Sequence, residues 1–597
     1  MRVVTFFLGV VLAAGATGAA VASDSGFVTY GHPALEAIDD AYRSGQISEA
    51  EAVLYRFYFC KNLEKLPAEF RLEGPPLKSA TSILADVYGR MDQLPAAMVD
   101  EIMRERTRPY GLNETRTTAH YIIHYTLSGG DAVPNEAYVD VVEQACEDSW
   151  QEFHVDQEWL CPPGDGGMGG GTDMIDCYVH ALPYGTLGMA EYENPVPGDP
   201  PYDYTGFFHV DNGISNAGTR SCTVSHENMH VIQFGYQAGS GAIAWYWENC
   251  AMVAEEWVYD NYNDYFGYLQ SWFGFPYKSL KTFNGQYEYG GIVWPMYKWE
   301  RFGDVDIVEN VYEHVRWNGP GEIWDGFDIA LAPYGYDFMS AYLELMRWCF
   351  YTRYRDDGQH FEEAGYWTAQ FYYDLSFNSY PTGEQHPRTS PVDKRPEPIG
   401  TSLMEFQPEA GGQEMLEVTL DGPSLYTAGC EFIRKQAGQD VWYEYFMEVD
   451  EASGDGVIQI PYFDQSDYVW MLTSVGLAPG GPRDYAFWAD DVEGSGDVPG
   501  GEQASDLVRI WPFRPNPVVD NSTIHYSLAR AGEVSVRILD ASGRLVRDLY
   551  SGHLQPGNYD LMWDGANGSG QEVPAGIYFA HVALNGAQQT RQITVLR

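Results

Sequence analysis

The sequence predicts an α+β chain of several domains: a mixed helix-and-strand region, then a β-sandwich, then a separate C-terminal β module. Three observations predict this. The chain has 597 residues, more than one hydrophobic core usually organises. Apolar residues recur at helical spacing through much of the chain to about residue 390, with β-rich runs between 117 and 210. From about 396 the pattern shifts to short strands broken by Gly and Pro. With 44 Tyr and 17 Trp, these segments carry enough apolar surface to build packed cores rather than disordered tails.

Taken in order, Met1-Arg2 is a short basic start, Val3 to about Ala16 is apolar, and Ala20-Val21-Ala22 supplies small residues. This reads as a signal peptide over 1–22, cut before Ser23, and places the mature chain outside the cell. No later apolar run reaches the roughly 18–20 residues a membrane span needs. Residues 23–110 read as a helical N-terminal region, either a propeptide that covers an active site or a helical subdomain. Residues 111–395 form the next domain. Within it His120–Tyr125 and Ile175–Leu182 read as strands, Val139–Phe153 as an amphipathic helix, and Gly206–Val210 as a strand at a sheet edge. Ser221–Tyr236 and Trp245–Tyr259 read as helices. The run Gly164–Gly171 lacks the strand-Gly-Lys-Ser/Thr context of a phosphate cradle and reads as a loop, in which Asp165 and Asp173 are candidate Ca2+ ligands. Residues 396–491 read as the β-sandwich and 492–506 as a Gly-rich linker. The module at 507–597 shows strand alternation in Ile524, Tyr526, Leu528 and in Val534, Val536, Ile538.

The formal net charge is −50, spread along the chain. Such a surface repels phosphate backbones and excludes nucleic acid as a partner. The eight cysteines include no CxxC, which argues against a cysteine-held zinc knot. Cys222 and Cys250 flank the chemical motif described next, where a disulfide would brace it; two buried thiols are the equal alternative.

That motif is His226-Glu227-Asn228-Met229-His230. On a helix, residues i and i+4 share a face, so both imidazoles reach one Zn2+. Glu227, displaced by about 100° around the helix, points beside the metal, where a carboxylate takes a proton from bound water. A catalytic zinc wants a third protein ligand and one open position. Glu248 lies on the next helix, after a turn rich in glycine at Gly235, Gly239 and Gly241. Glu255, two turns beyond Glu248 on the same face, either orients a histidine or serves as the fallback ligand.

His-Glu-x-x-His followed by a ligand Glu on the next helix resembles the gluzincin class of zinc peptidases. The wider block of Thr223–Phe234, Trp245–Asp260 and Tyr287–Gly303 is similar to a group of secreted, multidomain bacterial metallopeptidases. The resemblance spans about residues 110–390 and implies a zincin-like metallopeptidase domain. It also implies one catalytic zinc held by His226, His230 and Glu248, Glu227 as general base, and a protein or peptide substrate. The His230-to-Glu248 spacing is one residue shorter than the common pattern, which keeps Glu255 in play. The donor for the oxyanion is left open among Tyr289, Tyr287 and His209. In the last module, Pro515-Asn516-Pro517, Gly543–Arg547, Trp563-Asp564-Gly565 and Val573–Tyr578 resemble the flagellar hook-capping Ig-like domain and the sorting domains of type IX secretion. That resemblance implies contact with secretion machinery or attachment at the cell surface. The competing expectation is a catalytically silent surface binding protein on the same scaffold.

Overall fold

The computed structural model describes residues 27–196, 204–236, 243–377, 388–389 and 394–595, apart from gaps at 425, 451, 478, 494–507, 511–521, 529–531, 541–542, 555–556 and 586. The segments read from sequence as a signal peptide (1–22) and, for the most part, as a linker (492–506) lie outside them, as do Gly239 and Gly241. The chain is α+β and divides into two compact units. The first comprises the chain to Asp264 with Lys281–Tyr289 and Glu309–Ala330; the second comprises the rest.

The first unit opens with four helices: α1 (Pro33–Arg43), α2 (Glu49–Lys61), α3 (Thr81–Gly89) and α4 (Ala96–Glu105). Ser48 and Glu51 start α2 with a reciprocal capping box, which satisfies two of its otherwise orphan N–H groups. The strands β1 (Glu114–Thr117) and β2 (Tyr121–Tyr125) then lead through α5 (Glu136–Trp150) to β3 (Ile175–His180), β4 (Gly188–Pro195) and β5 (Tyr204–Asp211). Because β2 and β3 pair in parallel, the chain must cross over between them, and α5 makes the crossing. The sheet order is β1-β2-β3-β5-β4.

This order corrects one expectation. Gly206–Val210 lies in β5, bonded to β3 on one side and β4 on the other. The edge strand beyond it is β4, because β4 returns antiparallel to β5. No edge register is visible in either strand's sequence.

Two helices complete the site region, α6 (Ala217–Tyr236) and α7 (Ala244–Tyr259). Nearly every residue of α6 is buried, the pattern of a helix enclosed on all sides. Gly206 lets the sheet approach α6 closely, since a Cβ there would lie 2.9 Å from Cδ2 of Phe234. Cys222 and Cys250 are buried and not joined by a disulfide, the second of the two alternatives for this pair.

The second unit carries two β modules. One packs a five-stranded sheet against a four-stranded one around Met404, Phe406, Val418, Phe432, Met471 and Phe487. It recruits strands at Leu375–Phe377 and Arg388–Thr389, so it begins earlier than the composition shift near 396 indicates. The other has a three-stranded and a four-stranded sheet, with Val536, Ile538, Trp563, Val582 and Ile593 in its core. No helix among the described residues is long and apolar enough to cross a membrane.

Candidate metal centre

The i, i+4 spacing on α6 stacks His226 and His230 on one face, with ring centroids 4.9 Å apart. Helix α7 packs beside α6 and delivers Glu248 between them. Its Oε2 is 3.2 Å from Nε2 of His226 and 3.5 Å from Nε2 of His230. All three side chains are fully buried, and their candidate ligand atoms lie within 4.8 Å of one another.

These residues fit a zinc ion. Tetrahedral bonds of 2.0–2.1 Å place ligand atoms about 3.3 Å apart, and the two nitrogen–oxygen separations bracket that value. Nε2 of His230 is buried and has no hydrogen-bond partner, a costly state for a polar atom unless another group claims it. The far nitrogens are held by neighbours. Nδ1 of His226 lies 2.8 Å from Oε1 of Glu255, and Nδ1 of His230 lies 2.8 Å from Oε1 of Gln233. Such partners fix ring orientation and tautomer. Gln233 is itself anchored, donating to the Trp247 carbonyl and the Tyr312 hydroxyl, both at 3.1 Å.

Glu255 therefore orients His226 and does not face the ligand cluster. Its other oxygen, Oε2, takes the Lys78 ammonium at 3.0 Å, and Lys78 also reaches Asp264. Two turns of helix separate Glu248 from Glu255, which places one carboxylate on each side of the imidazole.

Glu227 is completely buried. Its Oε2 accepts a hydrogen bond from Thr81 Oγ1 at 2.8 Å, while Oε1 has no hydrogen-bond partner. Burial pushes its carboxyl above the usual range, against the opposing pull of His226 and His230. Burial likewise disfavours the Glu248 carboxylate, but the two histidines overcome it and hold that group well below the usual range. For His226, burial lowers the pKa, yet its bonds to Glu248 and Glu255 prevail and lift it to about 9. Gly188 on β4 makes room for the base, because a Cβ there would lie 2.6 Å from Cγ of Glu227.

Of the three oxyanion candidates, Tyr289 lies beside the centre and His209 does not. The Tyr289 ring lies 6.2 Å from that of His226. Tyr287 is buried two residues earlier in the same short helix, Tyr287–Gly290. Its loop is tied down by Glu288, which accepts from the amides of Asn284 and Gly285. His209 is elsewhere: Nε2 lies 2.9 Å from Oε1 of Glu191 and Nδ1 lies 2.9 Å from His180. Strand alternation sends residues 207 and 209 to the sheet face opposite Gly206, the residue against α6. Asp165 accepts from Gly167 and Met168 and pairs with Arg108, and Asp173 accepts from Gly166, so both carboxylates hold their own loop.

Sequence reasoning missed Lys78, Thr81, Ser82 and Gln233. Gln233 was accessible, since it sits one turn after His230. The other three carry no local signal, because Thr81 lies 146 residues from Glu227 and Ser82, which donates to Oε1 of Glu248, lies 166 residues from it.

The C-terminal module can be assigned. Residues 519–588 match the FlgD Ig-like domain. The match covers this module alone. Among solved structures, the chain is similar to PorZ, a bacterial surface component of the type IX secretion system of Porphyromonas gingivalis. The identity is 24% over 21% of this chain and 15% of that one, with a TM-score of 0.12. It is also similar to dimeric latent PorU of the same organism, at 17% identity over 28% and 16% of the two chains and a TM-score of 0.16. A Ruminococcus gnavus β-glucuronidase matches at 11% identity over 33% and 35%, with a TM-score of 0.13. The chain thus spans well under half the length of each. No curated protein matches the sequence.

Proposed function

We propose that the chain is a secreted zinc-dependent peptidase of gluzincin type, built on a zincin-like domain, that hydrolyses peptide bonds of extracellular proteins. The observation that carries this reading is the convergence of His226, His230 and Glu248 beside a buried Glu227 with one unpartnered oxygen. Zinc, when bound, supplies Lewis acidity toward a carbonyl oxygen and toward bound water.

The chain's own residues do the rest. Glu255 and Gln233 hold the two imidazoles by their far nitrogens, so Nε2 of each faces inward. Glu227 acts as general base on the attacking water, and burial raises its proton affinity, the direction such a role needs. The same carboxyl then returns the proton to the leaving amine. Tyr289, whose ring lies 6.2 Å from that of His226, is the candidate assigned to donate to the developing oxyanion. The FlgD Ig-like module is proposed to serve surface attachment or passage through secretion machinery.

Elemental mass spectrometry of the purified protein is the direct test. About one zinc per chain is expected, lost in His226→Ala and retained in Glu227→Gln; equal zinc in wild type and His226→Ala sinks the assignment. A second reading, a silent binding protein, is favoured by the complete burial of the site. In that case Glu227→Gln would alter no activity, whereas the peptidase reading expects a loss of about 10²–10⁴-fold in peptide hydrolysis.

A further inference from the structure

The start of the β4 edge, from Leu187 to Ala190, is occupied by the chain itself. Leu77 to Thr81 runs alongside it: the Leu187 amide donates to the Leu77 carbonyl at 3.0 Å, and the Ala80 amide donates to the Gly188 carbonyl at 3.1 Å. Ser79 and Gly188 form a parallel bridge. Thr81 Oγ1 accepts from the Ala190 amide at 2.7 Å while donating to Glu227. Ser82 Oγ donates to Oε1 of Glu248. The segment thus holds a backbone register on the edge strand and a hydroxyl on both carboxylates of the centre.

We propose that Leu77–Ser82 is an intramolecular inhibitor seated in the peptide-binding track of this site, and that the chain as folded here is latent. The inference rests on the peptidase reading. An extended peptide would gain affinity by adding to the β4 edge through main-chain hydrogen bonds, and at Leu187, Gly188 and Ala190 those groups are already used. The segment is not itself a substrate in this position. What it presents to Glu227 and Glu248 are side-chain hydroxyls, which carry no acyl leaving group. Beyond Ala80 the backbone turns into α3 at Thr81, so no extended chain continues past the centre. The anchor is strong where it matters, because the adjacent Lys78 is buried in ion pairs to Glu255 and Asp264. The region bearing the segment is further fixed to β4 by Lys61 and Tyr88, both bonded to Glu191.

The test compares the full chain with Ala80→Pro, which removes the amide that donates to Gly188 and substitutes none of His226, Glu227, His230 and Glu248. Should that variant fail to fold, Thr81→Val with Ser82→Ala carries the same comparison through side chains alone. Zinc content is measured first on each sample, then binding of a peptide hydroxamate by calorimetry, then peptide hydrolysis. The expected result is one zinc in each, with hydroxamate affinity at least about 30-fold weaker in the unaltered chain, because only the minor open population binds. Equal affinity at equal zinc overturns the inhibitor and leaves the metal reading intact. Absence of zinc overturns both. Tight hydroxamate binding by the opened variant without any hydrolysis overturns the peptidase reading while the occluding role of Leu77–Ser82 stands.

Discussion

Replacing Glu255 by Gln separates an orienting carboxylate from a ligating one. Oε1 of Glu255 lies 2.8 Å from Nδ1 of His226, and Oε2 lies 3.0 Å from Nζ of Lys78. Glutamine keeps an acceptor for the ring N–H but turns an amide N–H toward the Lys78 ammonium. Loss of such an orienting carboxylate weakens zinc by about 10–100-fold, which is about 1.4–2.7 kcal/mol at 1.36 kcal/mol per decade. Breaking a buried ion pair costs about 3–5 kcal/mol of stability. Here the lower end is expected, because Lys78 keeps Asp264. Zinc affinity would be read by competition with a chromogenic chelator, and stability by urea unfolding of the metal-free protein. Glu248→Gln is the comparator and should lose zinc far more severely. Undiminished zinc affinity in Glu255→Gln would refute the orienting role. Abolished binding there, with binding preserved in Glu248→Gln, would show that the two glutamates have been assigned in reverse.

Other outcomes follow from the same geometry. Gln233→Leu leaves Nδ1 of His230 buried without its acceptor, and should weaken zinc by about tenfold in the same competition assay. His209 is lowered to about 4, chiefly by burial, whereas an unfolded histidine titrates near about 6.5. The unfolded chain therefore takes up a proton first, so stability falls as pH drops from about 6.5 to 4, by roughly 3 kcal/mol from this group. His209→Gln should flatten that slope in urea titrations across the window, and an unchanged slope would show that other groups dominate. Trp563 is fully buried in the FlgD Ig-like module, and Trp563→Ala should cost that module about 3–5 kcal/mol, read as an earlier unfolding transition with zinc content unchanged.

What the sequence by itself determined was local and periodic. The spacing of His226 and His230 sets two imidazoles on one helical face whatever surrounds them, since the 3.6-residue repeat is a property of the backbone. The helices bearing the motif and Glu248 were legible for that reason, as was the alternation of the C-terminal strands. Tertiary structure alone decided the rest. Whether Glu248 or Glu255 faces the imidazoles depends on how α7 packs against α6, and the two residues look alike on a helical wheel. The edge position of β4 depends on strand order, which hydrogen bonds between distant segments set. His209 looked like a site residue because it is a histidine on a nearby strand, and the pleat sends it to the other face. The contacts of Thr81 with Glu227 and of Ser82 with Glu248 join positions far apart in the chain. Such contacts leave no period to read, because they form only after the sheet, α6 and the N-terminal helices have found one another.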